Sequence, residues 1–149
     1  MQNLFEPAVC NAMLARLEKM PAAATAQWGK MNAAQMLAHC QAPLQVALGE
    51  KELRQSLIGW LFGRMAKKQM LQEGPFKKNL PTDPSFIVKD QRIFDKEKQL
   101  LQSLIERFGT IDKVALAQKK HPFFGYMTAH EWGILLWKHL DHHLLQFAA

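Results

Sequence analysis

No stretch of this chain alternates apolar and polar residues as a half-buried strand does. Wherever apolar residues recur, they recur at three and four positions, the period of a helix. Val9, Met13, Leu17 and Met20 set that rhythm first and predict a helix over 7–20. Asn32 with Gln35 has the form of a capping box, so a second helix starts there and runs to about Leu48. Gly49 is its stop, and Pro43 inside it predicts a kink or a break. Residues 51–72 form a third helical stretch, weakened by Gly59 and Gly63 and ended by Gly74-Pro75. Residues 79–84 read as a loop and Phe86, Ile87 and Val88 as an extended piece or short bridge. Asp90 is placed to cap a long amphipathic helix reaching Phe108, with Phe94, Leu101, Leu104, Ile105 and Phe108 inward. After Gly109 comes a loop with a short helical piece, ending in His121-Pro-Phe-Phe-Gly. Thr128 with Glu131 is a second capping box, and the last helix runs from about 129 to 147. Helical segments joined by short connections imply an all-α fold of four main helices with an accessory helical segment.

The chain has 149 residues, of which 48% are hydrophobic and 21% charged. That is one domain over 1–149, with enough apolar material for a core and too little charge for disorder. The formal net charge of +6 suits an anionic partner or substrate, but it is dispersed. Lys67-Lys68, Lys77-Lys78 and Lys119-Lys120 are its densest points, with no longer basic run, no basic stripe and no helix-turn-helix signature, which argues against nucleic acid. Two cysteines, Cys10 and Cys40, make no disulfide framework and fit a reducing interior. Residues 31–49 lack formal charge, yet Asn32, Gln35, His39, Gln41 and Gln45 exclude a spanning helix. With no targeting segment visible, the expected location is the cytoplasm, with no membrane partner.

The histidines carry the chemistry. Five of six (His121, His130, His139, His142 and His143) lie at or beyond position 121, and His39 stands alone on the second helix. On the last helix, Gly133, Trp137, Leu140, Leu144 and Phe147 form one apolar stripe. Trp132, Leu136, His139, His143 and Gln146 form the stripe beside it. His142 falls about 100° further round, toward Lys138, on the polar arc. Two imidazoles one turn apart can share a metal ion, but such pairs also arise by chance, so a third ligand on another helix is needed. His39, among Met36, Cys40, Pro43 and Ala47, would supply it if it faces inward. The plainer reading of each is hydrogen-bonded packing beside a core. His130, Asp141 and His142 read as surface, Cys40 as a buried thiol, and Trp28, Trp132 and Trp137 as core.

Four strings carry a resemblance: WGKMNAAQMLAHCQ (residues 28–41), FKKNLPTDPSF (76–86), HPFFG (121–125) and TAHEWGILLWKHLDHHLLQF (128–147). Together they resemble a domain-of-unknown-function branch of the DinB/YfiT-like metalloenzyme superfamily, over most of the chain. The resemblance implies a four-helix bundle and a divalent metal, zinc or nickel, held by three histidines. The matching positions are His39, His139 and His143, with His142 as an extra histidine and Gln146 as a trailing glutamine. It implies a small-molecule substrate, use of a low-molecular-weight thiol as in thiol-dependent S-transferases, or hydrolysis, and a homodimer. The exposed apolar run at 57–62 fits the dimer. His121, Trp132 and Gln146 are candidates to line the pocket. The insertion between Gly49 and Phe86 departs from the superfamily pattern. The competing reading is a non-catalytic dimeric helical module binding an acidic partner or nucleic acid.

Overall fold

The computed structural model describes residues 1–53 and 57–149, with the side chains of 57–60 outside the described set. The chain is mostly helical: α1 (Pro7–Lys19), α2 (Ala33–Leu48), α3 (Leu57–Met70), a 3-10 turn (Pro84–Phe86), α4 (Phe94–Gly109), α5 (Lys113–Gln118) and α6 (Ala129–Gln146). α2 packs on α4 and α6, and α1 packs on the same two helices. Met13 and Leu17 of α1, Met36, Leu37 and Leu44 of α2, Leu101, Ile105 and Phe108 of α4, and Leu136, Leu140 and Leu144 of α6 fill the space between them. The apolar stripes read from the sequence are therefore the packed faces.

Both capping boxes form. The Asn32 side chain accepts from the Gln35 N–H at 2.9 Å, and the Thr128 hydroxyl accepts from the Glu131 N–H at 3.1 Å. Gly49 closes α2 in the left-handed conformation at φ +80°. These local signals fix the start of the two helices that matter below.

Four expectations are corrected. α2 runs through Pro43, which is buried, so the helix is not broken there. The missing N–H frees only the carbonyl one turn back, and burial on most sides holds the helix together. Asp90 does not cap α4, whose N-cap is Ile93 with no side-chain bond. The Asp90 carboxylate instead takes Arg92 at 3.0 Å, and Asp95 and Glu97 supply the negative charge in the first turn. HPFFG is the turn of a small antiparallel hairpin, β1 (Lys120–His121) with β2 (Gly125–Tyr126). Trp28 and Trp137 are only partly buried, while Trp132 is fully so.

α3 is tied to the body by two lysines. Lys67 donates to the Tyr126 carbonyl at 3.1 Å. Lys138, expected on a polar arc, is buried and donates to the Met70 and Gln72 carbonyls at 2.7 and 2.8 Å. It satisfies backbone acceptors at and just past the end of α3. Of the apolar run at 57–62, Leu61 and Phe62 are exposed, and the side chains of 57–60 lie outside the described residues. Among the described residues, no helix is long and apolar enough to cross a membrane.

Candidate metal centre

α2 carries His39, and α6 carries His139 and His143 on successive turns of the face that packs on α2. One nitrogen from each of the three imidazoles lies within 4.8 Å of the others. His39 Nε2 and His139 Nε2 are 3.1 Å apart, and the His143 ring centre is 4.6 Å from that of His39 and 4.7 Å from that of His139. Two nitrogens bound to one tetrahedral zinc at 2.0–2.1 Å stand roughly 3.3 Å apart, so the His39–His139 separation already approaches that of co-ligands.

The outer nitrogens decide which atoms are offered. His39 Nδ1 donates to the Phe86 carbonyl at 2.9 Å, and His143 Nδ1 donates to Gln146 Oε1 at 2.9 Å. A neutral imidazole with its proton on Nδ1 has its lone pair on Nε2, and here both lone pairs are left for the centre. Gln146 is itself fixed, since its Nε2 donates to the Trp28 carbonyl at 2.6 Å. Gly29 makes room for it: at φ +81°, a Cβ there would lie 2.6 Å from Gln146 Nε2.

Burial keeps the rings neutral. It lowers the pKa of His39, an effect the Phe86 carbonyl partly offsets. Burial, reinforced by His143, His39 and His142, holds His139 well below the ordinary value. Burial and the neighbouring His39 push His143 down to about 3, against the Gln146 bond. Neutral imidazole is the ligating form, so these shifts favour a cation over protons.

The same shifts predict acid sensitivity in metal-free protein. Unfolded histidine titrates near 6.5, whereas His143 and His121 fold with values of about 3 and about 4. Below pH 6.5 the unfolded chain therefore binds the extra protons. Stability is complete above that value and falls as pH drops, by up to about 1.4 kcal/mol per pH unit for each histidine. Urea midpoints in chelator should fall between pH 7.5 and 5.0, and equal midpoints would contradict the burial described here.

His142 does not join the cluster. It is not a surface residue either: its half-buried ring sits 5.6 Å from Trp28 and 6.0 Å from Phe76. Asp141 pairs with Arg16 at 2.6 Å, and exposed His130 lies 3.0 Å from the Asn3 amide. Cys40 is buried, and burial raises its thiol pKa. Of the pocket candidates, Gln146 touches a cluster histidine directly. His121 instead accepts from the Phe123 and Phe124 N–H groups at 3.1 and 3.2 Å and lies against Trp132 at 5.1 Å. Trp132 is seven residues before His139, about 10 Å along the helix. Its buried Nε1 has no partner among the described residues.

Sequence reasoning missed the two backbone carbonyls, of Phe86 and Trp28, that hold the outer shell. Both residues lie in strings that carried the resemblance. A carbonyl acceptor has no residue signature of its own, so position in such a string was the available signal.

The family model described as "Protein of unknown function (DUF1569)" matches residues 6–149, nearly the whole chain. The chain belongs to that family. No curated protein and no solved structure matches this DUF1569 chain. An uncharacterised family is thus shown for the chain, and the cluster of His39, His139 and His143 gives a member of it an arrangement compatible with binding a metal ion.

Proposed function

We propose that this DUF1569 chain is a metal-dependent enzyme of the DinB/YfiT-like type, with α1, α2, α4 and α6 as its four-helix bundle. His39, His139 and His143 would hold a divalent ion, zinc or nickel. The observation that carries this reading is the pair of outer hydrogen bonds, which leave two Nε2 lone pairs beside a third ring.

The donor set fits such an ion. Three neutral nitrogens leave its charge intact and a position open, so that it can act as a Lewis acid toward water or a thiol. The protein's own groups do the rest. Phe86 and Gln146 set the ring orientations, and the surrounding burial excludes bulk water. A small molecule would reach the centre beside His139, the least buried of the three histidines. Gln146 would line that approach, with His121 and Trp132 farther toward the start of α6. A low-molecular-weight thiol is the co-substrate that the resemblance favours, in S-transfer, with hydrolysis as the other reaction class. Dimerisation through the exposed Leu61 and Phe62 of α3 belongs to the same proposal.

The test is metal analysis of protein loaded and then desalted, followed by a thiol-transfer screen with and without chelator. One ion per chain with chelator-sensitive transfer supports the whole reading. Retention of less than about a tenth of an ion per chain ends it. One ion per chain with no transfer or hydrolysis ends the enzymatic part only.

A further inference from the structure

The Phe86 carbonyl that holds His39 Nδ1 lies outside the packed helices. It ends the 3-10 turn Pro84–Phe86, in a string (residues 76–86) whose polar side chains the proposed chemistry leaves without a role. Asp83, Pro84, Ser85 and Ile87 are exposed and Phe86 is half-buried, so core packing does little to fix the turn. An acceptor carried by such a segment needs something else to aim it.

Peptide geometry shows what does so. The Phe86 C=O and the Ile87 N–H share one planar trans peptide and point in opposite directions. The Ile87 N–H donates to the Pro84 carbonyl at 3.2 Å, which turns the Phe86 carbonyl the other way, onto His39. That bond exists only while 84–86 keeps its 3-10 form. The Phe86 N–H closes the same turn on the Asp83 carbonyl at 2.9 Å. The Asp83 side chain fixes the start. Its Oδ1 accepts from the Ser85 N–H at 2.8 Å and from the Ser85 hydroxyl at 2.6 Å. Pro84 follows with a preset φ and no N–H to satisfy. A 3-10 turn of 3 residues is marginal by itself, so its cap decides how fully it forms.

The string is also seated at either end. The Lys51 ammonium donates to the Ser85 carbonyl at 3.1 Å, which ties the turn to the chain just past α2. The Lys78 ammonium lies 4.3 Å from the ring centre of Trp28, the residue whose carbonyl holds Gln146. These contacts bring the string to the site, but neither orients the peptide between Phe86 and Ile87. Asp83 does, although its carboxylate is not part of the histidine cluster.

We propose that Asp83 is a positioning residue for the metal centre. It caps the 3-10 turn, the turn aims the Phe86 carbonyl, and that carbonyl keeps the His39 proton on Nδ1 and Nε2 free for the ion. The affinity half of this inference rests on the metal reading. The other half concerns the His39 ring alone and is read on metal-free protein.

The experiment compares the parent full chain with Asp83→Ala and Asp83→Asn. In metal-free protein, nitrogen-15 NMR reads solvent exchange of the His39 Nδ1–H, assigned by its loss in His39→Ala. Zinc affinity is then measured by competition with a chromophoric chelator. Asp83→Ala should speed the exchange and weaken zinc binding, each by about fivefold or more. Asp83→Asn keeps a side-chain oxygen as acceptor and should stay within about twofold of the parent in both. Helical circular dichroism should be the same in all three, since Asp83 is exposed and outside the packed core. Unchanged Nδ1–H exchange in Asp83→Ala, or zinc affinity within about twofold of the parent, would each overturn the assignment. So would an Asp83→Asn variant as weak as Asp83→Ala, which is the mark of a charge acting on the cation through space. If the parent itself retains no zinc, the metal reading fails, and the exchange comparison still decides the role of Asp83.

Discussion

Replacing His39, His139 or His143 by alanine should each lower zinc affinity by more than about a hundredfold, while His142→Ala should change it less than about threefold. The asymmetry follows from the packing of α6 on α2. His139 and His143 share the face turned to His39, and their rings stand 5.0 and 4.6 Å from it. His142 is next to His143 in sequence and only 5.1 Å from it between rings, but it is directed to Trp28 and Phe76. A general loss of imidazoles would not tell these positions apart, and the helix register does. The fold should survive all four changes, because the packed residues of α1, α2, α4 and α6 are apolar. Competition with a chromophoric chelator gives the affinities, and helical circular dichroism controls for unfolding. Loss of zinc in His142→Ala with retention in His143→Ala would mean a different ligand pair and a rotated site.

The second large effect lies one bond outside the cluster. Gln146→Leu should weaken zinc binding by about ten- to a hundredfold, although Gln146 would not be a ligand. Its Oε1 takes the proton of His143 Nδ1, and its Nε2 is anchored on the Trp28 carbonyl. Leucine fills the space but fixes neither the tautomer nor the ring. Gln146→Glu keeps an acceptor for His143 and should retain most of the affinity. A role in packing alone would make the two variants equally weak, and that result would remove Gln146 from the site.

The helices were legible because their signals are local. Asn32 with Gln35 and Thr128 with Glu131 each need only four residues to form, and each marks the start of a helix found in the structure. The pairing of His139 with His143 was legible for a similar reason, since a fixed angular step puts both on one stripe. That His39 meets them depends on how α2 and α6 pack; its apolar neighbours on the second helix made it the candidate, and the resemblance pointed to the same residue. Other features were hidden because tertiary contacts overrode local preference. Lys138 is buried although it is charged, because it finds the open carbonyls of Met70 and Gln72. Asp90 is a good cap by composition, but Arg92 competes for its carboxylate. The acceptors behind the histidines belong to the backbones of Phe86 and, through Gln146, Trp28, where residue type says nothing.

X-ray absorption at the zinc edge of the loaded full-length chain tests the central claim most directly. Three histidines as ligands require a first shell of nitrogen and oxygen only, at about 2.0–2.1 Å, with the multiple-scattering pattern of about three imidazoles. The His39→Ala variant should show that pattern reduced by one ring. A sulfur shell near 2.3 Å would bring Cys40 or Cys10 to the metal, and a shell of oxygens without imidazole scattering would place the ion elsewhere; either result would contradict a centre built from His39, His139 and His143.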